Sequence, residues 1–79
     1  MAKKQYGWNL CGERIKQARK KKGIYQVDMV EKLFEYEVKV TMTTYVELEN
    51  QKRNIKDFEL AAISKTLEVD PKWLLFGEE

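Results

Sequence analysis

Residues 40–53 have the pattern of a short helix and read Val-Thr-Met-Thr-Thr-Tyr-Val-Glu-Leu-Glu-Asn-Gln-Lys-Arg. At helical spacing, Tyr45 and Leu48 fall on one side. The side chains that project the other way are Met42, Thr43, Val46 and Glu47. Thr41 is a favourable N-cap, because its hydroxyl can accept a hydrogen bond from an unpaired amide of the first turn. The stretch predicts a short helix with apolar backing, an exposed outer face and two cations just past its end.

The composition predicts one small folded domain. The 79 residues are 43% hydrophobic and 35% charged, as in globular chains. No apolar run approaches the ~20 residues of a membrane-spanning helix, and no signal peptide is evident, so we expect a cytoplasmic protein. Cys11 is the single cysteine and histidine is absent. We therefore expect neither a disulfide nor a zinc site.

The charge is distributed unevenly along the chain. Residues 1–23 contain eight basic residues against Glu13 alone, a net charge of +7, whereas residues 24–50 sum to −4 and residues 51–79 to −1. A basic segment suits a polyanion or an acidic membrane surface. A solvated helix face is the alternative, and the charges by themselves leave both open.

Apolar periodicity and capping residues predict an all-helical domain over residues 9–77, after a basic, partly disordered arm at 1–8 and before a tail at 78–79. We expect a first helix from Asn9, as its N-cap, to about Lys22, and a second from Gln26 to Leu33 or slightly beyond. In residues 34–39 apolar side chains alternate with charged ones, a period of two that could mean a short strand, but no partner strand is evident. They are interpreted as a frayed helix end and a loop, whose core-facing side chains are Phe34 or Tyr36, and Val38.

Two further helices follow the quoted stretch. A fourth helix is expected from Asp57 to Leu67, with an amphipathic stripe made of Phe58, Leu60, Ala61, Ile63, Ser64 and Leu67. A fifth begins at Asp70 as N-cap with Pro71 at its first position, and Gly77 ends it. Its Trp73 and Leu74 are expected to close the core against the first helix.

Several motifs are more specific than the helical pattern. In chain order they are Arg14-Ile-Lys-Gln-Ala-Arg-Lys-Lys-Lys-Gly-Ile24, Gln26, Glu31-Lys-Leu33, Leu48-Glu-Asn50, Lys52-Arg-Asn54 and Asp70-Pro-Lys-Trp-Leu-Leu-Phe-Gly77. Together, over about residues 9–77, they resemble the phage-repressor and Cro-like, Xre-type helix-turn-helix family. The six-residue connection after Leu33 resembles the subset with a longer turn. The resemblance implies a compact five-helix, lambda-repressor-like domain, in which helices two and three form the helix-turn-helix.

The resemblance also implies roles for individual residues. Helix three would lie in the major groove of double-stranded DNA, with base-facing side chains Met42, Thr43, Val46 and Glu47. The residues implied to contact phosphates are Gln26, Thr41, Lys52, Arg53 and Asn54. Arg19 and Glu49 match a pair that forms an internal ion pair in the family, so they are assigned to structure. No cofactor, metal, small-molecule ligand or membrane contact is implied.

The sequence departs from the family pattern at several positions. Tyr25 replaces the usual short polar N-cap of helix two, and Val30 replaces a small alanine. Glu37 and Gln51 stand where glycine is common, and a left-handed backbone there would cost about 1 kcal/mol each. The outer face of helix three carries Glu47 and no basic residue before the cations at its end.

The resemblance implies a transcriptional regulator of bacterial or phage type, a repressor that binds a pseudo-palindromic operator as a homodimer. The alternative is a protein-interaction module, antitoxin- or antirepressor-like, with the same fold and weak or lost DNA binding. The acidic loop at 35–37 and the acidic helix three motivate this alternative. An enzyme is not expected, because the sequence contains no nucleophile beside a base, no metal-binding set and no phosphate-binding glycine loop.

Overall fold

The computed structural model describes residues 7–78, which form five α-helices and no strand. The helices are α1 (Gly12–Lys21), α2 (Gln26–Phe34), α3 (Met42–Glu49), α4 (Asp57–Leu67) and α5 (Pro71–Phe76). This confirms the predicted all-α, five-helix architecture. Most of the predicted basic arm, and the final residue, lie outside the described residues. None of the described helices has the length and hydropathy to span a bilayer.

A single core lies where the first four helices meet, and α5 closes it. Its buried apolar side chains are Cys11, Ile15, Ala18, Met29, Leu33, Val38, Tyr45, Leu48, Ala62, Ile63, Leu67 and Leu74. The predicted backing of α3 is present, since Tyr45 and Leu48 are both 0% exposed. Cys11 is a free, buried thiol whose pKa is raised by burial. It therefore fills the core as a small apolar residue.

The predicted start of the first helix is wrong by two residues. Cys11, not Asn9, is the N-cap of α1. Asn9 instead lies ahead of the helix, and its Oδ1 accepts hydrogen bonds from the amides of Cys11 (2.9 Å) and Gly12 (2.8 Å). Its Nδ2 donates to the carbonyls of Leu48 (2.8 Å) and Arg53 (3.1 Å). The side chain of Asn9 is held at this place because it joins the start of α1 to the end of α3.

The connection between α2 and α3 corrects a second expectation. Val38 is buried as predicted, but neither Phe34 nor Tyr36 enters the core, being 61% and 51% exposed. The reason is the backbone at Glu37, which turns left-handed with φ of 62°. The Val38 amide then donates to the Leu33 carbonyl (3.1 Å), a helix-ending motif that packs Val38 inward and leaves the two aromatic rings outside.

The predicted stripe of the fourth helix is only partly right. Ile63, Ser64 and Leu67 are buried, but Phe58 is 54% exposed and Ala61 is exposed, while Ala62 is buried. The buried face is thus rotated from the predicted one, because α4 packs against several helices at once.

The fifth helix begins and ends as predicted. Asp70 Oδ1 accepts from the Lys72 amide (2.8 Å), and Gly77 ends the helix with φ of 71°. Leu74 is buried, and Trp73 packs partly buried against the core.

Candidate nucleic-acid interface

Both ends of α3 are fixed by local hydrogen bonds. At the start, the Thr44 amide donates to Thr41 Oγ1 (3.1 Å) and the Thr41 amide donates to Thr44 Oγ1 (3.0 Å). These two bonds form a reciprocal cap. At the end, Gln51 turns left-handed with φ of 60°, and the Lys52 amide donates to the Glu47 carbonyl (2.8 Å). The helix is therefore presented with a defined length and direction.

The outward face of α3 forms a shallow groove. Its lining side chains are Met42, Thr43, Val46, Glu47, Asn50 and Lys52. The four side chains predicted to face bases are thus brought together on one surface. Asn50, which sequence reasoning missed, joins them. It lies three residues after Glu47, so extending the helical spacing by one turn past the predicted face would have found it.

A buried ion pair holds α3 from behind. Arg19 Nε lies 2.6 Å from Glu49 Oε2, and Arg19 Nη2 lies 3.2 Å from Glu49 Oε1. Gln26 Nε2 donates to the same Oε1 (3.0 Å), and Arg19 Nη1 donates to the Ile24 carbonyl (2.8 Å). Three helices therefore meet at one carboxylate.

The ionisation of this cluster follows from its contacts. Burial by itself would raise the pKa of Glu49, but hydrogen bonds from Arg19 and Gln26 outweigh it and hold that pKa below its ordinary value. The hydrogen bond to Glu49 raises the pKa of Arg19, against the opposing effect of burial. Both groups are charged at neutral pH, so the pair is a strong, directional link.

The start of α2 offers donors to an anion. As the first amides of a helix, those of Gln26 and Val27 have no intrahelical acceptor. The Gln26 side chain is half-buried and oriented by Glu49, as described above. This end of α2 is therefore held in place by the same carboxylate that anchors α3, and its free amides suit a phosphate oxygen.

Arg53 is engaged inside the protein, which the sequence did not suggest. Its Nε donates to the Thr44 carbonyl (3.0 Å), and its Nη1 donates to the Asn54 carbonyl (2.8 Å). Nη1 and Nη2 also reach the two Glu59 carboxylate oxygens, at 3.2 and 3.0 Å. Burial raises the pKa of Glu59, but these bonds and one from the Lys56 amide keep it below its usual range. Arg53 thus ties the segment that follows α3 to the first turn of α3 and to α4.

The other residues assigned to phosphates lie at the surface. Thr41, Lys52 and Asn54 are exposed. Asn54 Oδ1 accepts from the Ile55 amide (3.1 Å), which shapes the loop after α3. Lys16 of α1 is a further cation at this edge, since its Nζ lies 3.5 Å from Asn50 Oδ1. Sequence reasoning could not place Lys16 there, because only the packing of α1 on α3 brings residues this far apart in the chain together.

Comparisons with known proteins identify the class. The sequence model of the helix-turn-helix domain family matches residues 12–79, and the chain belongs to that family. The fold is similar to that of the P22 c2 repressor protein, whose crystal structure is a complex with synthetic operator 9T in the presence of Tl⁺. The TM-score is 0.73 at 30% sequence identity, over 87% of this chain and 97% of that one. No match was found among curated proteins. The predicted resemblance to phage repressors is confirmed.

Proposed function

We propose that the protein is a sequence-specific DNA-binding transcriptional regulator, a repressor that occupies its operator and excludes the polymerase. The observation that carries this is the state of α3. Its inner face and both ends are fixed by hydrogen bonds and an ion pair, while its outer face is open to solvent. A helix held in this way meets the major groove without further ordering. The P22 c2 repressor, similar in fold, was solved with an operator.

The contacts are divided by chemistry. Base edges are met by Met42, Thr43, Val46 and Glu47, and the backbone by the amides at the start of α2 together with Gln26, Thr41, Lys52 and Asn54. Arg53, which was also assigned to phosphate contacts, serves them mainly indirectly. Its bonds to Glu59 hold the segment from Lys52 to Asn54 against α4. Phosphate contacts set the register of the protein on the duplex, and α3 supplies the sequence dependence.

The proposed species on DNA is a homodimer. Phe58 at the start of α4 is 54% exposed, and Phe76 at the end of α5 is 49% exposed. Trp73 lies on α5 with Phe76. Two copies joined through these aromatic side chains would present two α3 helices to a pseudo-palindromic site. The proposal needs no cofactor and places the protein in the cytoplasm of a bacterium, where phage and host operators are accessible.

A gel-shift titration tests the function. If α3 and its flanking residues engage phosphates, the logarithm of the binding constant falls linearly with the logarithm of salt concentration. Glu47→Gln removes a negative charge from the DNA-facing surface of α3, where it is repelled by the surrounding phosphates, so we expect tighter binding to nonspecific DNA. Glu78→Gln, the same charge change after the last helix, is the matched control and should bind like the unmodified protein.

Two outcomes would refute this assignment. One is binding that does not depend on salt, or no shift on any genomic fragment. The other is nonspecific binding by Glu47→Gln that equals binding by Glu78→Gln, which would place the outer face of α3 away from the DNA.

A second candidate function rests on the turn between α2 and α3. Phe34 and Tyr36 are exposed there beside Glu35 and Glu37. Exposed aromatic rings among acids suit a protein partner with a basic, apolar surface. In this alternative the domain is antitoxin- or antirepressor-like. A specific protein that co-purifies at salt concentrations that strip nucleic acid, and is lost in Phe34→Ala, would support it.

A further inference from the structure

The groove on α3 is unusually apolar at its base-facing part. Met42 is 40% exposed, Val46 is half-buried beside it, and Thr43 adds a methyl group. In the major groove, the one apolar group that a base pair presents is the 5-methyl of thymine. These apolar side chains are best matched by such a methyl group. Against other base edges they would displace water from hydrogen-bond donors and acceptors and offer no hydrogen bond in return.

Among the four base-facing side chains of α3, Glu47 is the charged one, and it is a hydrogen-bond acceptor. The Glu47 carboxylate can accept hydrogen bonds but donate none. Guanine presents two acceptors in the major groove, N7 and O6, and would repel it. Cytosine presents its N4 amino donor next to a C–H edge, whereas the amino group of adenine lies beside the N7 acceptor. Glu47 is therefore best matched by cytosine.

The donors that usually read guanine are absent from the central part of this face. The guanidinium of Arg53 is occupied by Thr44, Asn54 and Glu59. Lys52 and Asn50 lie at the far rim of the groove, after the helix. The Asn50 amide oxygen lies near Lys16, 3.5 Å from its Nζ. Among the described residues, α3 therefore offers no charged donor to guanine O6 and N7 over its first two turns, and the Thr43 hydroxyl is the neutral donor of this surface.

We propose that α3 selects its half-site through thymine 5-methyl groups, contacted by Met42, Thr43 and Val46, and through one cytosine amino group, accepted by Glu47. This specificity rests on the proposed DNA-binding function. It predicts half-sites rich in thymine on the strand that faces α3, with one C·G pair read from its cytosine side.

The test uses an operator selected from random DNA with the full chain. Replacing each thymine of the half-site by deoxyuracil removes only the methyl group and keeps base pairing. At contacted positions we expect about fourfold weaker binding for each methyl removed, the equivalent of one buried CH₂ group. Thymines in the flanks provide the internal control and should tolerate the change.

A pair of matched variants assigns the effect to α3. In Val46→Ala, the ratio of affinities for the thymine and deoxyuracil operators should fall to nearly one at one position, because the side chain that contacts the methyl group is gone. Val69→Ala, at a partly buried valine in the connection between α4 and α5, should retain the fourfold effect. Circular dichroism confirms that both variants are folded.

A change of the selected C·G pair to T·A tests Glu47. It should weaken operator binding by the unmodified protein about tenfold and binding by Glu47→Gln much less.

The outcomes separate this inference from the function on which it rests. A selection that enriches no sequence refutes sequence-specific DNA binding itself. An enriched operator whose affinity is unchanged by deoxyuracil at every position, or whose half-site is read through guanine opposite α3, leaves the function intact and overturns the proposed specificity.

Discussion

At the residue scale, the Arg19–Glu49 pair is the most consequential contact in the domain. Glu49 is 0% exposed, and its carboxylate is bound by groups from α1 and α2. A buried carboxylate that loses its cation keeps the cost of leaving water without the compensating attraction. The intact pair therefore adds little to the free energy of unfolding, whereas removal of one partner lowers that free energy strongly.

Replacing Arg19 by methionine should lower the free energy of unfolding by about 3–5 kcal/mol, since it leaves Glu49 buried and unpaired. Urea unfolding followed by circular dichroism measures this. Lys22→Met is the matched control, because it also replaces a cation by methionine and breaks the exposed Lys22–Glu68 pair (2.8 Å). Exposed pairs contribute at most about 1 kcal/mol. Equal losses in the two variants would contradict the structural role assigned to Arg19.

At the element scale, the chain reverses after α2, α3 and α4 through three left-handed residues that are not glycine: Glu37, Gln51 and Glu68. Gln51 is compensated, because its Nε2 donates to the Asn9 carbonyl (3.1 Å) and its own carbonyl accepts from Trp8 Nε1 (2.7 Å). Glu37 is exposed, so its strain brings no comparable return.

Glu37→Gly should raise the free energy of unfolding by about 1 kcal/mol, because glycine adopts the left-handed region without a steric penalty. For a domain of this size the melting temperature would rise by about 4–8 °C per kcal/mol. The control is Glu35→Gly at φ of −64°, where glycine only adds freedom to the unfolded chain and should lower stability. A decrease in both variants would show that the strain at Glu37 is negligible.

A close approach between elements also depends on a missing side chain. A Cβ added at Gly12 would lie 2.5 Å from the Leu48 carbonyl oxygen and 2.9 Å from that of Glu49. Together with Asn9, which bonds to the same end of α3, Gly12 lets α1 approach the backbone of that helix. The direction of α3 is therefore set by backbone contacts at its end as well as by its apolar face.

At the scale of the whole molecule, the proposed homodimer depends on aromatic surface that the single chain leaves exposed. Phe76→Ser removes an exposed ring and should lower dimer formation on the operator while leaving the monomer folded. Sedimentation with operator DNA measures the number of bound chains. Phe34→Ser, at a ring that is 61% exposed on the α2–α3 turn, is the control. If both variants still bind as two chains, the dimer contact lies elsewhere.

Much of the fold could be predicted because its signals are local. The cap at Thr41, the start of α5 at Asp70 and its end at Gly77 each depend on residues within one turn of the chain. The helical spacing of Tyr45 and Leu48 likewise identified the buried face of α3. Phe58 and Phe34 were misplaced because an aromatic side chain carries no local signal of whether another helix will cover it.

The sequence by itself determined that the chain would be helical, where most helices would lie, and which face of α3 would be exposed, because caps and hydrophobic spacing act within a few residues. Only the tertiary structure decided that Asn9 would bind the end of α3 and that Arg53 would be held by Glu59. It also decided that Lys16 and Asn50 would lie at the edge of the outer groove. These residues are distant in the chain, and their partners depend on how the helices pack.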